Sequence, residues 1–124
     1  MMAIRSLIAF AIAVALLLGV EATAAYAQDP AVVNSKTIHV RFENDRLRVL
    51  EAILPPGIKE QVHSHPANVV YVLERGRYRN YAADGKITEA TLRTGDVMYR
   101  DPLTHAAEHI GDTPWHLTPV KRKS

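Results

Sequence analysis

Turn residues cut this chain into pieces too short for anything but strands. From Thr37 onward the breaks are Pro55-Pro56-Gly57, Pro66-Ala67-Asn68, Gly76, Ala83-Asp84-Gly85-Lys86, Thr94-Gly95-Asp96, Asp101-Pro102 and Gly111-Asp112-Thr113-Pro114. They recur roughly every eight to twelve residues, the punctuation of an all-β sandwich or barrel. The pieces between them alternate or are β-branched: Ile38, Val40 and Phe42 against Thr37, His39 and Arg41, then Leu47 to Leu54, Ile58 to His65, and Val69 to Leu73 as a central strand. Arg77 to Ala82, Ile87 to Leu92, Val97 to Arg100, His105 to Ile110 and Trp115 to Val120 complete eight or nine strands. Asp84-Gly85 is a hairpin signal, with both residues expected at positive φ. No segment after residue 27 keeps a 3.6-residue apolar period long enough for a helix.

The first 27 residues follow other rules. Arg5 precedes an apolar run, Leu7 to Val20, and Ala25-Tyr26-Ala27 is an A-x-A cleavage signature, so residues 1–27 read as a helical secretory signal peptide cleaved after Ala27. The run is short for a bilayer span, which takes about 20 residues. Without a stable membrane anchor after cleavage, the protein is expected to be periplasmic or secreted. Residues 28–36 read as a flexible lead-in, 37–120 as one barrel and 121–124 as a basic tail. The chain has no Cys, so an oxidising compartment lends it no disulfides, and any metal site must use His, Asp or Glu. The formal charge of +2 gives no argument for nucleic acid, and Lys121-Arg122-Lys123 reads as solvated.

The chemistry concentrates in the histidines. Side chains two apart on a strand share a face, roughly 6–7 Å apart, so His63 and His65 can turn onto one cation. His105, from another strand, completes a face of three imidazoles with open positions for water or substrate. Such a site takes one divalent metal, and Fe, Mn, Zn, Ni and Cu all suit imidazole. On a continuous strand Gln61 shares the face of His63 and is a candidate supporting or substrate contact. His109, four residues after His105, is a candidate fourth ligand or proton carrier, or a simple barrel-mouth residue. Tyr71 is a candidate cavity residue. Arg48 and Arg100 read as lying on exposed strand faces, the alternative being a hold on an anionic substrate inside the barrel, and His39 and His116 read as surface or edge residues.

Gly57, His63-x-His65 and Gly76, followed by Gly95 and His105, resemble the two motifs of the cupin superfamily over residues 57–109. The resemblance implies a double-stranded β-helix (a cupin or jelly-roll barrel) and commonly one divalent metal held by the His-x-His pair, a Glu and the later His. Val69 or Val70 stands at the Glu position, the interval from Gly95 to His105 is one residue short, and His109 stands for the closing Asn. An absent carboxylate leaves a neutral three-imidazole shell, which makes the bound metal a stronger Lewis acid. The expected function is that of an exported small cupin with a three-His metal site, an oxygenase-like oxidoreductase on a small organic molecule. The alternatives are a non-catalytic binder of metal or small ligand and an empty structural barrel. Partners are a small molecule and, through open sheet edges, a second copy in a homodimer.

Overall fold

The short runs assemble into two facing sheets, because a strand buries its apolar face only when another layer covers it. The computed structural model describes residues 28–123; residues 1–27, read above as a signal peptide, lie outside the described residues. A one-turn helix α1 (Pro30–Val33) leads into β1 (Ile38–Glu43), β2 (Leu47–Leu54), β3 (His63–His65), β4 (Asn68–Glu74), β5 (Gly76–Ala82), β6 (Ile87–Leu92), β7 (Val97–Arg100), β8 (Leu103–His109) and β9 (Trp115–Arg122). Five strands form one sheet in the order β1-β2-β9-β4-β7 and four form the other, β3-β8-β5-β6. All pairings are antiparallel.

The core fills the space between the sheets. Leu50, Ala52 and Leu54 of β2, Val70 and Val72 of β4, and Trp115 and Leu117 of β9 point inward at alternate positions and form one cluster with Ile38, Leu92 and Ala107. In β1 only Ile38 is buried; Val40 and Phe42 are exposed. A register shift between Val40 and Phe42 on this edge strand breaks the expected alternation. At the β5–β6 hairpin only Gly85 has positive φ. Asp84 does not; its carboxylate accepts the Lys86 N–H at 2.9 Å.

Two segments expected to be loose are built in. Residues 28–36, read as flexible, hold α1. The Asp29 side chain accepts the Ala31 N–H at 2.9 Å as its N-cap, Pro30 starts the helix and is buried, and Asp29 pairs with Arg48 at 2.8 Å. That pairing draws Arg48 off the exposed face where the sequence placed it. The basic tail read from residue 121 is instead the end of β9, which runs to Arg122, with Lys121 facing inward at 5% exposure.

Candidate metal centre

The site is set by register. His63 of β3 lies directly opposite His105 of β8, and His65 lies opposite Leu103. All three imidazoles face the interior, are buried, and offer ligand atoms that lie within 4.8 Å of one another. Ring centroids are 4.7 Å apart for His63–His65, 4.8 Å for His63–His105 and 5.4 Å for His65–His105. Nitrogens sharing one ion at about 2.1 Å would lie roughly 3–3.5 Å apart, so binding asks for small ring movements and no strand movement.

Two of the rings are already turned for ligation. His63 Nδ1 meets the Gln61 carbonyl at 2.8 Å. The Asn34 amide nitrogen also lies 3.0 Å from this atom, but it donates to the same Gln61 carbonyl; a carbonyl only accepts, so with Nδ1 bonded to it the proton sits on Nδ1 and Nε2 keeps its lone pair. His105 Nδ1 donates in the same way to Asn80 Oδ1 at 2.6 Å, freeing its own Nε2. Such outer partners fix the tautomer and aim of metal-binding histidines. His65 Nδ1 is buried with no partner. A polar atom orphaned in that way costs about 1–3 kcal/mol, and a cation held among the rings is what the donor set fits.

A carboxylate stands beside the three histidines, though not among the atoms that converge. Glu60 is buried, and its Oε1 lies 3.9 Å from His63 Nε2 while accepting the Ala107 N–H at 3.1 Å. Strand alternation puts Glu60 on the face opposite His63; the structure puts both inside. The cause is Asn34. Its Oδ1 accepts the Gln61 N–H at 2.7 Å and its Nδ2 donates to the Gln61 carbonyl at 3.1 Å, so both Gln61 backbone groups leave the sheet ladder. The strand expected over 58–65 shrinks to residues 63–65, and the irregular stretch before it shifts the alternation. Asp29-Pro30, a helix-start signal, is the sequence feature from which an ordered segment around Asn34 was readable.

The other candidates fall outside the cluster. The Gln61 side chain is exposed, and only its backbone serves His63. Tyr71 lies on the outer face of its sheet at 44% exposure, because the inward positions of β4 are Asn68, Val70 and Val72. His109 is inward and fully buried but two inward positions along from His105, with Nδ1 against the Arg77 carbonyl and Nε2 against the Thr113 carbonyl. It packs near Trp115 and is no ligand of the cluster. Arg100, expected on an exposed face, is half-buried and turned toward the cavity. It lines the cavity with the three histidines, Glu60 and an apolar wall that includes Tyr78, Met98 and Trp115, around about 40 Å³ of space.

Burial sets the protonation. Desolvation, helped by nearby positive charge, holds His105 down at about 3, and desolvation is also the first cause of the lowering at His63 and His65. The rings are therefore neutral at ordinary pH, as metal ligands must be. Desolvation raises Glu60 to about 7, against the Ala107 N–H and the Arg100 charge, which lower it. The metal-free fold should lose stability when acidified from pH 6.5 to 5. Each histidine, depressed in the folded state, takes its proton first when unfolded, so its stabilising effect holds above about 6.5 and fades as pH falls. Glu60, raised when folded, works the other way and loses stability as pH rises toward 7. Three histidines outweigh one carboxyl, leaving a net loss on the order of 1–2 kcal/mol per pH unit. Urea midpoints at pH 7 and 5.5 check this, and Glu60→Gln should steepen the dependence.

No protein-family profile matches the chain, and no curated protein does. Solved structures do. A cupin domain from Bordetella pertussis matches at TM-score 0.65 and 24% identity, over 70% of this chain and 92% of its own. An RmlC-like cupin from Shewanella frigidimarina matches at TM-score 0.51 and 25% identity, over 70% of this chain and 75% of its own. The chain is a cupin by fold. The chain also matches an oxalate decarboxylase of Bacillus subtilis at TM-score 0.52 and 24% identity, over 69% of its own length but 25% of that chain. That likeness is one of fold.

Proposed function

We propose that this cupin is exported, holds one divalent metal on His63, His65 and His105 with Glu60 beside them, and acts as an oxidoreductase on a small organic molecule. The observation that carries this reading is the convergence of three neutral, buried imidazoles, two with Nδ1 engaged and Nε2 turned free. A metal bound there supplies Lewis acidity or a redox centre. The protein's own residues do the rest. Gln61, Asn34 and Asn80 aim the rings, Glu60 brings an anionic group that offsets part of the ion's charge, and the apolar wall keeps bulk water out. The fold likeness to an oxalate decarboxylase, whose name states an activity on a small organic acid, agrees with a barrel that can host an enzyme. The narrow cavity favours a second reading, a carrier of metal or small ligand without turnover.

Elemental analysis of protein taken from its own export compartment tests the proposal, and its N-terminus should read Gln28. About one divalent ion per chain is expected, with oxygen uptake on a panel of small diols and thiols. Glu60→Gln should weaken the metal about 10–100-fold, the usual effect of removing a group that supports the ligands. Protein that takes up no divalent ion overturns the metal site. Loaded protein that never consumes oxygen moves the function to the carrier.

A further inference from the structure

A guanidinium is an unexpected lining for a cavity this small and apolar. Arg100 sits on β7, in the sheet opposite β3 and β8, and faces the histidines across the barrel. Its Nε and one Nη2 hydrogen are taken by Asn68 Oδ1, at 3.2 and 3.0 Å. This uses only the side edge of the fork. Among the described residues, Nη1 and the end edge have no hydrogen-bond partner, and Arg100 makes no ion pair. The one acidic side chain among the described residues that line the cavity is Glu60, so the free edge of the Arg100 fork is left without a partner there. A divalent ion would add positive charge, since Glu60 offsets only one of its charges.

We propose that the ligand of this site is a small carboxylate, gripped end-on by the Arg100 guanidinium that Asn68 holds over the three histidines. This deepens the proposed function and rests on its assignment of the cavity as the binding site. Two parallel N–H···O bonds from an arginine fork match a carboxylate, and the planar fork gives a geometry that a point charge such as lysine lacks. The cavity limits the size. At about 40 Å³, with a water-sized group taking about 10–15 Å³ of such space, it has room for about three or four such groups with the ion included, so only a very small anion fits. The carboxylate end belongs to Arg100, so the remainder of the molecule is what reaches the metal face.

The test uses cobalt-loaded protein, with formate and acetate as probes and acetamide as the uncharged isostere of acetate. Formate and acetate should perturb the visible cobalt spectrum saturably, and acetamide should not. Arg100→Gln should keep the metal content of the wild type and weaken acetate at least tenfold; Arg100→Lys should recover part of the loss. Equal binding of acetate and acetamide, or unchanged acetate affinity in Arg100→Gln, overturns the proposal. If the protein takes up no cobalt, the metal assignment fails separately. The anion is then followed in metal-free protein by NMR of the Arg100 Nε–H and Asn68 amide signals, where acetate must shift both and acetamide neither. If Arg100→Gln does not fold, Arg100→Lys decides, since loss of the fork alone must still weaken acetate.

Discussion

His105→Ala should abolish tight metal binding while leaving a folded barrel. The ring is one of only three imidazoles at the centre, and it faces His63 directly across the β3–β8 ladder, so no neighbour can replace it. Loss of an outer partner of a metal-binding histidine typically costs about 10–100-fold in affinity; loss of the ligand itself should cost more, at least about 100-fold. Asn80→Ala sets the comparison. It leaves the ring in place but removes the acceptor that holds Nδ1–H at 2.6 Å, so it should fall in the 10–100-fold range. Isothermal titration with zinc or cobalt gives both values, and far-ultraviolet circular dichroism shows whether the barrel survives. The ordering is what matters. If His105→Ala binds metal as well as Asn80→Ala does, the three-imidazole centre is wrong, whatever else the cavity holds.

The difference between these variants marks what the sequence could and could not reveal. His63 and His65 were legible because side chains two apart on a strand share a face, a local rule; His105 was legible because Gly95 and His105 answer the second motif of the family that the chain resembles. The nine strands were legible from local rules too, since Gly, Pro and Asp-Gly turns act over a few residues. Asn80, Asn34 and Glu60 were not. Asn80 reaches His105 only because β5 and β8 are neighbours in the sheet, a fact of topology. Glu60 was assigned to the wrong face because strand alternation was carried through a stretch that Asn34, 27 residues earlier, pulls out of the ladder. Arg100 and Lys121 were read as solvated by residue type; both lie on inward positions of strands whose ends reach past the apolar core. Those misreadings cluster around the cavity, where local patterns are overridden by what the site requires.

Gly76→Ala should be the most damaging single methyl in the protein. Gly76 opens β5 with no positive φ, so it is not there for backbone freedom. It is there for space. A Cβ built on it would lie 2.7 Å from Trp115 Cβ and inside contact distance of Cγ and Cδ1. Those atoms belong to the root of the side chain and cannot swing aside. Trp115 is itself fixed, buried at 3% exposure with its ring stacked on Tyr78 at 4.9 Å and 13°. Overpacking a well-filled core typically costs about 1–3 kcal/mol, and the rigidity of this neighbour puts the expected loss at the upper end or above. At about 4–8 °C per kcal/mol for a domain of this size, the melting temperature should fall by roughly 10–20 °C. Trp115→Leu alone should also destabilise, by leaving a cavity. The double variant should then be more stable than the sum of the two losses, because the added methyl fills part of the vacated volume. A coupling of about 1 kcal/mol or more in that cycle, read from urea unfolding, identifies the contact as the cause. Strict additivity would show that Gly76 is needed for some reason other than Trp115. The same wall lines the cavity, so a Gly76→Ala protein that still folds should also bind acetate more weakly than the wild type.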